Sequence, residues 1–180
     1  VRRRAALTLT GTVLAATLLA ACSAPRTAEP ATPEGWQRVG SGALSFAVPG
    51  DWVEVPQPDP LWSVGWSTDA DPDAGSVLLV GAPALGEDGA EQALDSFVAG
   101  AQVAGWGYGS TAMSTPVDED TLEVRRNDFS YDDVAGVFWA AADPGSGSTV
   151  GLQLTGRDLP EDVVRGIEES IVVREAAVEG

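Results

Sequence analysis

"VAGVFWAAADPGSGSTVGLQLTG", residues 134–156, sets the architecture. Its first nine residues are apolar at nearly every position, the pattern of a sheet strand covered on both faces. "DPGSGS" (143–148) then supplies turn chemistry. In "STVGLQLTG" (148–156) the alternation is clean, with Val150, Leu152 and Leu154 on one face. Two strands joined by so short a turn run antiparallel.

The rest of the chain extends this pattern. Period two recurs in "LSFAV" (44–48), which Pro49-Gly50 turns into "WVEV" (52–55), and in "LWSVGWS" (61–67), where Trp62, Val64 and Trp66 share a face. "SVLLVGAP" (76–83) is a second strand apolar on both sides, and "TLEVRRNDFS" (121–130) is more polar and belongs nearer an edge. Two stretches carry a helical stripe. One runs over about 89–104, with Ala90, Leu94, Phe97, Val98 and Ala101 aligned, Asp88 as its cap and Gly105 as its stop. The other runs over about 159–173, with Val163, Val164, Ile167 and Ile171 aligned, Pro160 in the first turn and Asp158 with Glu161 as a capping-box-like pair. The order β-β-β-β-α-β-β-β-β-α predicts an α+β domain over residues 36–174, a mainly antiparallel sheet with amphipathic helices packed on its faces.

Composition narrows the chemistry. The formal net charge is −17, every one of the ten basic residues is an arginine, and histidine is absent. From Cys22 onward seven arginines face 27 acids, a balance of −20 that repels nucleic acid and anionic lipid and favours a dispersed monomer. Without histidine the Ser-His-Asp and Cys-His devices and imidazole zinc sites are excluded, and without lysine so is Schiff-base chemistry. Carboxylate chemistry and oxygen-ligand metals survive this test. An alanine-rich, lysine-free composition fits a high-GC bacterium.

The one cysteine, Cys22, lies in "LLAACSAP" (19–26) at the end of an apolar run. Arg2, Arg3 and Arg4 form a basic n-region and residues 5–21 are uncharged, the layout of an export signal. The run is short for a spanning helix and broken by four threonines and a glycine. Arg3-Arg4 before Ala5-Ala6 matches a twin-arginine signal poorly, so the general secretory route is expected. With no second cysteine, an internal disulfide is excluded. Residues 23–35, "SAPRTAEPATPEG", have almost nothing to bury and read as a disordered tether, and residues 175–180 as a frayed tail.

Leu19-Ala20-Ala21-Cys22 resembles the lipobox of bacterial lipoproteins. The resemblance implies a signal peptide over 1–21, removed by cleavage, and a diacylglyceryl group on the Cys22 thiol, with acyl chains such as palmitate holding the protein to the extracytoplasmic face of the cell membrane. "SGALSFAVPGDWVEV" (41–55) resembles the opening of PsbP-like sandwich domains and "LPEDVVRGIEESIVV" (159–173) their last helix. Actinobacterial lipoproteins of the LpqN type combine such a domain with a lipobox. The resemblance implies an α/β/α sandwich with a binding or assembly role in the cell envelope, and it carries no catalytic motif.

Three local features are candidate sites. "TDADPDAG" (68–75) sets Asp69, Asp71 and Asp73 at alternate positions, as an EF-hand loop begins. Ala74 at the sixth loop position and Val80 at the twelfth break that pattern, so a solvated hairpin loop is expected and no metal site. The acid runs Asp118-Glu119-Asp120, Asp132-Asp133 and Glu168-Glu169 point apart in strands or helices and read as solvated charge. "GWGYG" (105–109) places Trp106 and Tyr108 on one face of an extended segment, where they either dock a sugar ring or a partner or cover the core. Trp106 is expected to pack inward and Tyr108 to be the more exposed. The sequence therefore predicts no catalytic residue and no cofactor. It predicts lipidation at Cys22, partner contact centred on Trp106 and Tyr108, and a non-catalytic envelope module, with an envelope hydrolase using paired carboxylates as the alternative.

Overall fold

The computed structural model describes residues 29–57, 60–71, 77–86, 89–104 and 107–175. A seven-stranded antiparallel sheet dominates it. Its strands are β3 (Val53–Glu54), β4 (Val64–Ser67), β5 (Val77–Gly86), β6 (Gly109–Glu119), β7 (Leu122–Tyr131), β8 (Val134–Asp143) and β9 (Ser148–Gly156), in the order β3-β4-β5-β9-β8-β7-β6. A second, three-stranded sheet has the order β1 (Trp36–Ser41), β2 (Leu44–Pro49), β10 (Val172–Val173). The helices are α1 (Gly89–Ala104) and α2 (Glu161–Glu169). This is the α+β class that the sequence predicts.

The apolar runs behave as expected because β8 and β9 lie inside the large sheet. Alternate residues of β8 enter two separate cores. Val137, Trp139 and Ala141 meet Leu154, Leu152 and Val150 of β9 and pack with Leu44, Phe46, Val48, Val164, Ile167 and Ile171. Phe138, Ala140 and Ala142 face the other way, onto Ala90 and Leu94 of α1 with Phe129. One face of the large sheet is thus covered by α1 alone. The other is covered by the small sheet together with α2.

Four local expectations are corrected. The second helix stops at Glu169 instead of 173: Ile171, Val172 and Val173 are β-branched and favour extended backbone, and Val172 and Val173 pair with β2. Its start lacks the expected side-chain cap, since the N-cap position is Pro160 and makes no side-chain hydrogen bond. The strand over 61–67 begins only at Val64. Because the chain before it is not extended, Trp62 turns to the α1 core while Val64 and Trp66 pack against the other. The segment 36–41, read only as the domain's start, is a strand that forms a tight hairpin with β2 through Gly42 at φ 55°.

Ser170 ties the small sheet to α2. Its hydroxyl accepts the Ala47 N–H at 2.8 Å and donates to the Ile167 carbonyl at 2.7 Å, in a site only 2% exposed. The β6 edge is exposed along most of its length, and its pairing with β7 is interrupted by two register shifts, one of them at the stretch that contains Pro116. Both features discourage further strand addition.

Candidate functional site

Cys22 and Trp106 lie outside the described residues, as do Asp73, Asp88 and Gly105. Tyr108 is described, half-buried between α1 and β6. Its ring packs at 5.1 Å on Phe129 and edge-on at 6.3 Å to Phe97, whose own ring stacks on Phe138. The Tyr108 hydroxyl donates to Oδ1 of Asn127. Asn127 is fully buried, and its amide donates to the Ser110 hydroxyl and to the Ala112 carbonyl. Tyr108 is therefore a strut that satisfies a buried amide, with part of its ring open to solvent.

Burial pushes the Tyr108 phenol above its ordinary pKa, and burial followed by the charge of Asp132 does the same to Tyr131. The neutral phenol is favoured in the folded chain, so the unfolded chain loses these protons first. Stability is complete below about pH 10 and falls as the pH rises from there through the folded pKa values. Unfolding followed in urea from pH 8 to pH 11 should show this alkaline loss. Tyr108→Phe should flatten its slope, and an unchanged slope would contradict the strut.

The acidic runs fall in different settings. Asp118 lies 4.0 Å from Arg125, which Glu123 holds at 2.6 Å. Asp133 makes an exposed pair with Arg157. Glu168 differs from its neighbour Glu169: it reaches under α2 to accept from the Trp139 indole at 2.7 Å and from Arg126 at 3.1 Å. Arg126 also grips Asp128 of its own strand at 2.6 Å. Partial burial opposes the Arg126 charge, but the hydrogen bond and attraction of Asp128, then those of Glu168, outweigh it and hold the guanidinium above its usual pKa. Asp128 and Glu168 converge on Arg126 as Asp118 and Glu123 do on Arg125, so each of these carboxylate pairs is spent on a cation. The Arg126 group joins α2 to the large sheet.

A cleft of about 520 Å³ opens beside the small sheet, lined by Arg38, Val39, Gly40, Ser41, Gly42, Leu44, Ser45 and Arg174. It brings together two arginines from opposite ends of the domain. Glu29 sits between them, with one carboxylate oxygen 3.2 Å from Nε of Arg38 and 2.7 Å from Nη2 of Arg174. Arg38 donates through Nη2 to the Pro30 carbonyl at 2.9 Å and through Nε to Thr32 at 3.3 Å. Its Nη1 turns inward, to the Ser170 carbonyl at 3.1 Å. Residues 29–32, the far end of the segment read as a tether, thus lie along this arginine. Sequence reasoning passed over the cleft because nothing local marks it. The available signal was scarcity, since few cations follow Cys22, and of these Arg38 lies in β1 and Arg174 directly follows β10.

Among the described residues no group of three or more His, Cys, Asp or Glu side chains could hold a metal ion, and no helix is long and apolar enough to cross a membrane. No family model matches the chain. No curated protein matches it either. Among solved structures it is similar to the crystal structure of LpqN, described as involved in cell envelope biogenesis of Mycobacterium tuberculosis. The identity is 18% and the TM-score 0.48, over 77% of this chain and 90% of that one.

Proposed function

We propose that the chain is a lipid-anchored lipoprotein of a bacterial cell envelope, whose folded domain binds a partner outside the membrane without catalysing a reaction. The observation that carries this reading is the run from Arg2 to Cys22: three arginines, an uncharged apolar stretch, and Leu-Ala-Ala-Cys with the chain's one thiol. Two acyl chains on that cysteine would make the attachment stable, where one would leave it reversible. The net negative charge of the following residues gives no electrostatic hold on anionic lipid, so the anchor would carry the whole attachment. The binding role is favoured because the carboxylates that converge, Asp128 with Glu168 and Asp118 with Glu123, are already paired with Arg126 and Arg125.

Expression in a bacterium that processes lipoproteins tests the anchor. The mature protein should begin at Cys22, carry acyl mass and partition into the detergent phase. Cys22→Ala should remain unprocessed or be shed into the aqueous phase. A soluble, unacylated wild-type chain as the main species would refute the reading.

A further inference from the structure

We propose that Arg38 and Arg174 form a binding site for a small oxyanion, phosphate or carboxylate in chemistry, and that Glu29 occupies it as a built-in ligand. Three observations converge. The Arg38 guanidinium is divided in its use: Nη1 is fixed by the Ser170 carbonyl, whereas Nε and Nη2 contact only residues 29–32. That outward edge has the fork geometry that receives two oxygens of a carboxylate or phosphate.

The occupant is weakly held. Residues 29–35 are exposed throughout and belong to no strand or helix before Trp36, so polar contacts with Arg38 and Arg174 hold Glu29 in place. Ion pairs that stay in contact with solvent on the Glu29 side add little net stability. A free anion can therefore compete with Glu29, which acts as a tethered competitor at an effective concentration on the order of millimolar.

Four other arginines belong to the described residues, and of these Arg165 stands exposed on α2, away from the cleft lining. Arg125 and Arg126 are paired within β7, and Arg157 forms an isolated exposed pair with Asp133. Among the described residues, Arg38 and Arg174 are the arginines that line one cleft together, and Ser41 and Ser45 line the same space as further polar groups. In a chain of such negative charge, this pair is the local exception that an anion would find. The inference does not rest on the lipid anchor, and a Cys22→Ala chain should behave identically in the test.

Arginine-selective nitrogen labelling of the full chain in neutral detergent micelles reads the site directly, through the side-chain Nε–H resonances. In Glu29→Gln, inorganic phosphate should shift the Arg38 and Arg174 signals saturably, with a dissociation constant about fivefold below that of the wild type. Arg174→Gln in that background should abolish the effect, and the Arg157 signal should stay still. A second titration, with phosphatidylglycerol mixed into the micelles, distinguishes a lipid headgroup from a free anion by which probe saturates at the lower phosphate concentration. Three results would overturn the proposal. These are Glu29→Gln responding no more than wild type to both probes, a response that survives Arg174→Gln, or an equal response at Arg157.

Discussion

Trp139→Ala is expected to destabilise the domain by about 3–5 kcal/mol, the range for truncating a fully buried aromatic side chain. Trp139 has no exposed surface and stands on β8 where the large sheet meets the small sheet and α2. Two losses combine. A cavity opens among Leu152, Phe46 and their neighbours, and Glu168 loses the indole N–H that meets it at 2.7 Å. The second loss bears on Arg126 as well, because its carboxylate partner is then held from one side only. Trp139→Phe separates the terms by retaining most of the buried area while removing the donor, and should cost less than half as much. Urea unfolding of the three proteins measures both. A Trp139→Ala domain within about 1 kcal/mol of wild type would mean that these layers do not meet on this ring.

The neighbouring residue gives the second large effect, on the other side of the sheet. Phe138 is 1% exposed and stacks on Phe97 of α1 at 3.8 Å between ring centroids, with Trp62 edge-on at 6.2 Å. Phe138→Ala should likewise cost about 3–5 kcal/mol, but with a different footprint. The buried anchors of α1 are Ala90 and Leu94, so once the stacking is lost the helix keeps those two and the looser contacts of Phe97 with Phe129 and Tyr108. Amide hydrogen exchange should show α1 opening below the global unfolding energy in Phe138→Ala, with α2 protected as before. In Trp139→Ala the small sheet and α2 should be the weakened parts. Identical exchange maps for the two variants would show that the two cores are a single cooperative unit.

The sequence made legible what period and burial encode together. β8 and β9 follow from residues 134–156 alone, because a strand apolar on both faces leaves few alternatives. The α1 stripe is equally plain: Ala90 and Leu94 are buried and Phe97, Val98 and Ala101 half-buried, as their spacing requires. Legibility ends where two signals compete. Residues 161–173 carry one unbroken helical stripe, and only pairing with β2 decides that Val172 and Val173 leave the helix. Trp62 fits a period-two pattern with Trp66 that holds only if the chain between is extended. The arginine cleft was illegible for another reason. Its members are far apart in sequence and none belongs to a motif, so their meeting is a property of topology alone.

The pairing of β2 with β10 governs the order of assembly. Strands β6 to β9 form a meander in which each pairs with its neighbour in sequence, and such contacts close small loops quickly. The small sheet waits instead for its last strand: Val172 and Val173 must find Ser45 and Leu44, and the Ser170 hydroxyl must reach the Ala47 N–H across a separation of 123 residues. Until then β2 shows an open edge, and Arg174, whose own N–H meets the Ala43 carbonyl at 2.7 Å, is not yet placed. Loop-closure entropy grows only logarithmically with chain length. The long separation therefore costs little in final stability and acts mainly on timing, making the arginine cleft one of the last features of the fold to come into being.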